Sequence, residues 1–245
     1  MYEPNVQRLL ELIKPGDVVL DIGGWASPFN RANYILDAQP FETRGFYRTF
    51  GGPPSQGGDV EYFTPDRWVV RDICEHTPYP FADKMFDWVI CSHTLEDVRD
   101  PLWVCAEMMR IGKRGYIEVP SRLAETSRGW ELPNIAGLSH HRWLIDIDAE
   151  RSRISFLMKF HRIHSHWRFS LPNSYYASLP PSQHVQWLFW NDRFEYEERT
   201  IHGLDTIDAE LEGYVRATRP YPAWRLKASA LARRASFLLS RVFAR

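Results

Sequence analysis

Val-Val-Leu-Asp-Ile-Gly-Gly occupies residues 18–24 of the chain. Its apolar part is short and rich in β-branched side chains, which is typical of strands in parallel sheets that are covered on both faces. Two glycines follow at once, and glycine favours the backbone conformations of tight turns. The segment therefore predicts a buried parallel strand that leads into a tight loop.

Similar apolar runs recur after this segment, and each is followed by polar or turn-forming residues. We predict four more strands, at residues 34–36, 68–70, 86–91 and 116–119, and helices at residues 3–14 and 101–111. Alternation of this kind predicts a Rossmann-like, doubly wound α/β fold, with a mostly parallel sheet and helices on both faces. Residues 185–190 and 194–199 predict an antiparallel C-terminal strand pair, joined by a turn at Asn191-Asp192.

The chain has 245 residues, enough for one large α/β domain, which we place at residues 1–213. Within it, glycine and proline pairs predict an irregular insertion at 39–66, and the looser pattern of 121–180 indicates an elaborated region after the last parallel strand. Residues 214–245 form a separate basic tail. The tail holds eight of the 30 Lys and Arg residues and no acid, which leaves 22 basic residues against 31 acids in the body.

An acidic body argues against a protein that binds nucleic acid, and we expect no nucleic-acid partner. In the tail, residues 224–245 predict an amphipathic helix with apolar and basic sides. Such a helix suits peripheral contact with an anionic membrane, or packing on the acidic body or a second subunit; both alternatives stay open. Since there is no long apolar run and no signal-peptide pattern, we expect a cytoplasmic protein.

Cysteine and histidine usage favours structural roles over metal binding. Cys74, Cys91 and Cys105 are odd in number and lie among apolar residues, so we predict buried free thiols. The histidines of 161–166 lack a carboxylate or thiolate partner in that segment, and no metal site is predicted.

Ligands of doubly wound sheets bind outside the carboxyl ends of the strands. In this chain those ends carry Asp21, Asp37, Asp72 and the pair Ser92-His93. One acid at a strand end is often only a turn former or a helix cap, but four polar strand ends in order favour a binding site. The loop at 23–28 is not the G-x-G-x-x-G of nicotinamide-dinucleotide sites.

The ordered series resembles a known family. Val-Leu-Asp-Ile-Gly-Gly at 19–24 is followed by Leu-Asp at 36–37, Arg-Asp-Ile-Cys at 71–74 and Phe-Asp-Trp-Val-Ile-Cys-Ser-His-Thr-Leu-Glu at 86–96. Over residues 1 to 120 this is similar to the class I S-adenosylmethionine (SAM) dependent methyltransferases, in particular to the type 11-like group with an FD.v…sH.LE motif. The resemblance implies SAM as the cofactor.

The same resemblance implies which residues hold SAM. Asp21 and Gly23 match the glycine-rich motif, with Gly24 and Trp25 in the same loop. Asp37 matches the acid for the ribose hydroxyls, Asp72 the acid for the adenine amino group with Ile73 beside the ring, and Ser92 and His93 would lie near the methionine part. The chain departs from the pattern at Trp25 and Ser27, where glycines are expected, and at Asp97, where a histidine is.

We therefore expect methyl transfer from SAM to an unidentified small-molecule or glycan acceptor. Candidate general bases are His140, His141 and His93, because imidazole titrates near neutral pH. The alternative role for each of them is structural, as a histidine whose ring is held by hydrogen bonds. The alternative function is a catalytically silent binding protein with the methyltransferase fold, which acts through its pocket or its basic C-terminal helix.

Overall fold

The computed structural model describes residues 1–218 together with residues 224 and 231. The strands are β1 (Val19–Ile22), β2 (Tyr34–Asp37), β3 (Trp68–Val70), β4 (Trp88–Ser92), β5 (Arg114–Pro120), β6 (Trp143–Asp148), β7 (Arg153–Met158), β8 (Val185–Asn191) and β9 (Glu195–Glu198). The helices are α1 (Glu3–Leu12), α2 (Pro101–Ile111), α3 (Arg122–Thr126), α4 (Asn173–Tyr176) and α5 (Leu204–Thr218).

The main sheet has the strand order β3-β2-β1-β4-β5-β8. The first five strands run parallel, and β8 joins β5 as an antiparallel edge strand. The predicted Rossmann-like, mostly parallel α/β fold is confirmed. The strand order reverses direction between β1 and β4. These two strands pair with each other, and Ile22 of β1 lies opposite Cys91 of β4. This is the point where such sheets bind their ligands.

Helices cover both faces of the sheet, as predicted. Trp88 and Ile90 of β4 share a hydrophobic cluster with Val6 and Leu9 of α1. Val89 points to the other face, where its side chain packs against Gly112 at the end of α2. Side chains alternate along a strand, so one strand contributes to two cores, and each fully buried large apolar side chain stabilises the fold by about 1.5–3 kcal/mol.

The start of α2 shows how local sequence fixes an element. Asp100 accepts a hydrogen bond from the backbone N–H of Trp103 at 3.0 Å, and Pro101 occupies the first helical position. An aspartate N-cap satisfies a backbone donor that has no partner within the helix, and proline at this position loses no hydrogen bond. The predicted helix at 101–111 has these same bounds.

The connections from β2 to β3 and from β3 to β4 contain no α-helix. Residues 39–66 contain three short 3₁₀ turns instead, at Phe41–Thr43, Phe46–Phe50 and Pro65–Arg67. The segment is held to the loop after β1 by backbone hydrogen bonds, among them Gly45 N–H to Trp25 O at 2.8 Å. The Gly-Pro composition explains the result, because these residues interrupt helices and favour turns.

The two C-terminal strands form close to the predicted residues, but their predicted pairing with each other is wrong. β8 pairs antiparallel with β5, whereas β9 pairs parallel with β7 in a separate sheet of order β6-β7-β9. Asn191 and Arg193 form only an isolated bridge. Apolar alternation indicates a strand without identifying its partner, and here the partners are distant in sequence.

The described chain forms two compact units. The first contains residues 1–120, 145–156 and 185–198, and the second contains residues 121–144, 157–184 and the described residues from 199 onward. In the second unit, Ile207 and Leu211 of α5 pack in a core with Leu144, Leu157 and other buried apolar residues.

The three cysteines are free and buried, as predicted. The beginning of the predicted basic tail, residues 214–218, is the last turn of α5. The predicted amphipathic helix at 224–245 lies outside the described residues, apart from Trp224 and Leu231, which are exposed. No helix among the described residues has the length and apolar character needed to cross a bilayer.

Candidate functional site

A cavity of about 620 Å³ opens at the point where the carboxyl ends of β1 and β4 meet. Gly23 and residues 26–27 line it from the loop after β1, and Ser92 and His93 line it from the end of β4. The other walls come from the N-terminal residues, including Glu3, and from the insertion. We call the insertion residues that face the cavity the insertion wall; its members are Tyr47, Pro53 and residues 55–59. The volume falls in the usual range for small-molecule sites.

Gly23 must be a glycine for two independent reasons. Its φ of +77° lies in the left-handed region, and a Cβ there would come within 2.2 Å of Thr94 Oγ1. Its N–H donates to the carbonyl of Leu36 at 2.9 Å, so β2 fixes the turn. The backbone can therefore approach a ligand closely at this position.

Asp21, in β1, stabilises the loop that follows this strand. Its side chain is buried, and Oδ2 accepts a hydrogen bond from the N–H of Phe29 at 2.8 Å. Burial raises the pKa of Asp21 to about 7, although that hydrogen bond acts in the opposite direction. Gly24 lies against the same carboxylate, since a Cβ there would be 2.5 Å from Oδ2.

Trp25, which replaces an expected glycine, connects the loop to the insertion. Its ring stacks on Phe46 with centroids 5.4 Å apart, and its indole N–H donates to Thr43 Oγ1 at 3.0 Å. Its backbone N–H donates to Asp37 Oδ2, also at 3.0 Å. The tryptophan that stands in place of the glycine therefore anchors the insertion beside the cavity.

Asp37, the predicted ribose acid, accepts backbone hydrogen bonds on both carboxylate oxygens. Gln39 N–H donates to Oδ1 at 2.8 Å, and Trp25 N–H donates to Oδ2. Burial raises the pKa of Asp37 despite these bonds. Each oxygen keeps a second lone pair, so the carboxylate can still accept from a diol.

Asp72 and Ile73, the predicted adenine contacts, are tied to their own surroundings. Asp72 accepts from Cys74 N–H at 2.9 Å and pairs with Arg99 at 2.5 Å, and these two bonds lower the pKa of Asp72. The carbonyl of buried Ile73 accepts from Tyr79 Oη at 2.7 Å. Neither residue lines the cavity.

Ser92 and His93 meet Gly23 in the cavity, as the strand-end rule predicts. Ser92 Oγ is inaccessible and has no hydrogen-bond partner among the described residues. His93 has a φ of +52°, which is rare for a residue with a side chain, and its N–H donates to the carbonyl of Glu118 at 2.8 Å.

The imidazole of His93 lies between two buried carboxylates. Nε2 is 3.2 Å from Glu118 Oε1, and Nδ1 is 3.5 Å from Glu96 Oε1. Burial by itself would lower the pKa of His93, but these two carboxylates outweigh it and raise the pKa to about 9. The two carboxylates therefore favour the imidazolium form of His93 at neutral pH, which opposes a role as general base.

Glu118 belongs to the candidate site through its contact with His93, but the strand-end rule does not find it because it lies inside β5. It is fully buried and accepts from the N–H of Tyr2 at 2.9 Å and from the hydroxyl of Tyr116. Burial would raise the pKa of Glu118, but His93 and its other partners lower it to about 2. A glutamate in an otherwise apolar strand is the available signal, since such residues are buried only when paired.

His140 and His141 belong to the second unit. His141 is buried with Nδ1 2.7 Å from Glu125 Oε1, and Lys159 Nζ lies 2.6 Å from the other oxygen of Glu125. Burial acts to raise the pKa of Glu125, but His141 and Lys159 outweigh it and lower the pKa. His140 is exposed and its ring contacts His141 edge-on at 4.6 Å.

Comparison with known proteins gives one family match. The profile of the family described as methionine biosynthesis protein MetW matches residues 67–130, about a quarter of the chain. No curated protein is significantly similar in sequence.

Several solved structures match part of this chain. A SAM-dependent methyltransferase of Methanosarcina mazei is 16% identical and has a TM-score of 0.34, with 57% of this chain and 85% of that chain covered. One from Aquifex aeolicus is 17% identical, with a TM-score of 0.32 and coverages of 53% and 70%.

A further match is the complex of the Haloferax volcanii Trm112 methyltransferase activator with a methyltransferase, at 20% identity and a TM-score of 0.32. That match covers 49% of this chain, which spans about half of the matched protein (53%).

The MetW family match, over residues 67–130, extends from β3 across β4 and β5, and so includes Ser92, His93 and Glu118.

Proposed function

We propose that this protein is a SAM-dependent methyltransferase, of the type 11-like group that its motifs resemble, with a small-molecule or glycan acceptor. The observation that carries the proposal is the cavity at the β1–β4 switch point, where Gly23, Ser92 and His93 converge. Ligands of doubly wound sheets bind at this place.

The residues present fit such a cofactor. Gly23 lines the cavity with its backbone while packing against Thr94, where a Cβ would collide, and Ser92 offers a buried hydroxyl with no partner among the described residues. In this proposal Gly23, Ser92 and His93 hold the methionine part, and Asp37 accepts from the ribose hydroxyls through its remaining lone pairs. Asp72 and Ile73, the adenine contacts that the resemblance implies, lie outside the lining of this cavity.

Bound SAM supplies a methyl group that is already activated by the positive charge on sulfur. The protein then has to align the acceptor and, where the acceptor atom carries a proton, provide a base. His93 is unsuited to that task because Glu118 and Glu96 keep it protonated. In this proposal His141, whose Nδ1 lies 2.7 Å from Glu125 Oε1, is a candidate for the base.

Titration calorimetry with SAM and with S-adenosylhomocysteine tests the proposal. We expect both to bind the wild-type protein, and Gly23→Ala to abolish binding because its Cβ collides with Thr94. Gly16→Ala is the matched control, since nothing lies within 4 Å of its Cβ. Ser92→Ala is a milder variant in case Gly23→Ala does not fold. Wild-type protein that binds neither compound would refute the proposal.

Variants of His140 and His141 test the identity of the general base separately. We expect His141→Ala to keep SAM affinity and to lower turnover, measured as S-adenosylhomocysteine release with cell extract as the source of acceptor. His140→Ala, at the exposed neighbouring position, shows whether both histidines are needed. Unchanged turnover in both variants would remove them from the mechanism.

A further inference from the structure

We infer that the acceptor bound at this cavity is an organic amine, a cation carried on an apolar or aromatic body. The inference rests on the proposed function and narrows its acceptor. Two independent features of the cavity support it: the sign of its charge and an aromatic surface at the insertion wall.

The first feature is an excess of carboxylates. Glu3 and Asp59 line the cavity, and the described lining contains neither lysine nor arginine. The imidazolium of His93 is balanced by two carboxylates directly behind it, Glu96 and Glu118. Even when the amino group of Met1 is counted, carboxylates outnumber cations, so the cavity favours a ligand with a net positive charge over a ligand with a net negative charge.

The second feature is an aromatic cluster that continues from the insertion into the cavity. Tyr47 lines the cavity and is 53% exposed. Phe46 holds it in place, with ring centroids 5.8 Å apart, and also contacts Phe50 at 5.4 Å. Phe46 in turn stacks on Trp25, so the cluster is fixed to the glycine loop.

Adjacent aromatic side chains that are exposed together indicate an interaction site, because their contact with water is unfavourable. The face of an aromatic ring attracts ammonium groups and also packs against apolar atoms. A cavity that combines the ring of Tyr47 with carboxylates matches a ligand with a positive charge next to an apolar body. A neutral hydroxyl acceptor would use the ring but not the charge.

Methyl transfer to such an amine takes place in two steps, deprotonation and displacement. The ammonium nitrogen first loses a proton to a base or to water, and its lone pair then forms the new C–N bond. The C–S bond of the sulfonium breaks, and its electron pair stays on sulfur to give the neutral thioether. The product amine carries the positive charge that the sulfonium has lost.

The test compares three probes with the same ring and different charge. Tyramine is a cation, 4-ethylphenol is neutral and 4-hydroxyphenylacetate is an anion. Each is titrated into the full-length protein saturated with S-adenosylhomocysteine. We expect tyramine to bind about ten-fold more tightly than either other probe, as two partly exposed carboxylates would provide.

The variants assign the effect to residues. The double variant Glu3→Gln, Asp59→Asn should reduce the preference for tyramine over the anion to about two-fold, while Tyr47→Leu should weaken tyramine and 4-ethylphenol together. Glu42→Gln removes an exposed acid that does not line the cavity and should leave the preference unchanged.

Equal or tighter binding of 4-ethylphenol or of the anion would overturn the inference, as would no binding of tyramine at millimolar concentration. Retained S-adenosylhomocysteine binding in those cases separates a wrong acceptor class from a wrong function. If S-adenosylhomocysteine itself does not bind, the proposed function fails first.

Discussion

His93 Nε2 lies 3.2 Å from Glu118 Oε1, so the residue at the end of β4 and a buried acid of β5 form one charged pair in the cavity wall. Glu118 also accepts from the backbone N–H of Tyr2, just before α1. Three elements are thereby joined at a single carboxylate. The protonation state of His93 depends on it.

Removing the charge of Glu118 should lower the pKa of His93. For Glu118→Gln we expect the pKa to fall from about 9 by about one unit or more, because one of two carboxylate partners is lost. Titration of the His93 ring by NMR measures this directly. Glu42→Gln is the control at an exposed position. An unchanged pKa in Glu118→Gln would show that Glu96 alone holds the proton.

His93 should also make stability depend on alkaline pH. Its pKa is raised from 6.5 to about 9, so the folded state binds the proton more tightly than the unfolded state. The stabilisation is complete below pH 6.5 and is lost as the pH rises through about 9. Urea unfolding of wild type and His93→Gln should give a steeper decline for wild type across this window. His202→Gln, at an exposed position, should behave as wild type.

Asp21 should destabilise the folded state above neutral pH. Its pKa is raised from 3.8 to about 7 by burial, so folding favours the protonated acid, and its contribution is lost as the pH rises through 7. Asp21→Asn keeps an oxygen that can accept from Phe29 but cannot ionise. We expect its free energy of unfolding, relative to wild type, to be higher at pH 8 than at pH 4. The same difference at both pH values would contradict the shifted pKa.

Glu125 should be essential for the stability of the second unit. Glu125→Gln leaves the ammonium group of Lys159 buried without its carboxylate, and breaking a buried pair in this way costs about 3–5 kcal/mol. Urea denaturation measures the loss. The double variant Glu125→Gln, Lys159→Met should recover part of it. A loss below about 1 kcal/mol would indicate that water reaches the site.

Much of the first unit could be predicted because its signals are local. The parallel strands are short apolar runs, α2 carries its own N-cap, and the polar strand ends follow directly from topology. Gly23, Ser92 and His93 were identified in this way, and the structure places all three in one cavity.

What the sequence did not predict depends on distant partners. β8 is separated from β5 by residues 121–184, and no local pattern specifies that pairing. Asp72 and Arg99 pair across 27 positions, and the interactions of Glu118 with His93 and Tyr2 likewise join separate elements. Such contacts are set by tertiary packing, which propensity and periodicity do not describe.

The insertion wall is built without a strand or an α-helix, while the opposite side of the cavity is the rigid edge of the parallel sheet. Mutations, insertions and deletions in a loop of this kind leave the sheet hydrogen bonds intact. The cavity therefore has a side that evolution can remodel for new acceptors and a side that must be inherited nearly unchanged. Related proteins with different acceptors should diverge most between residues 47 and 59.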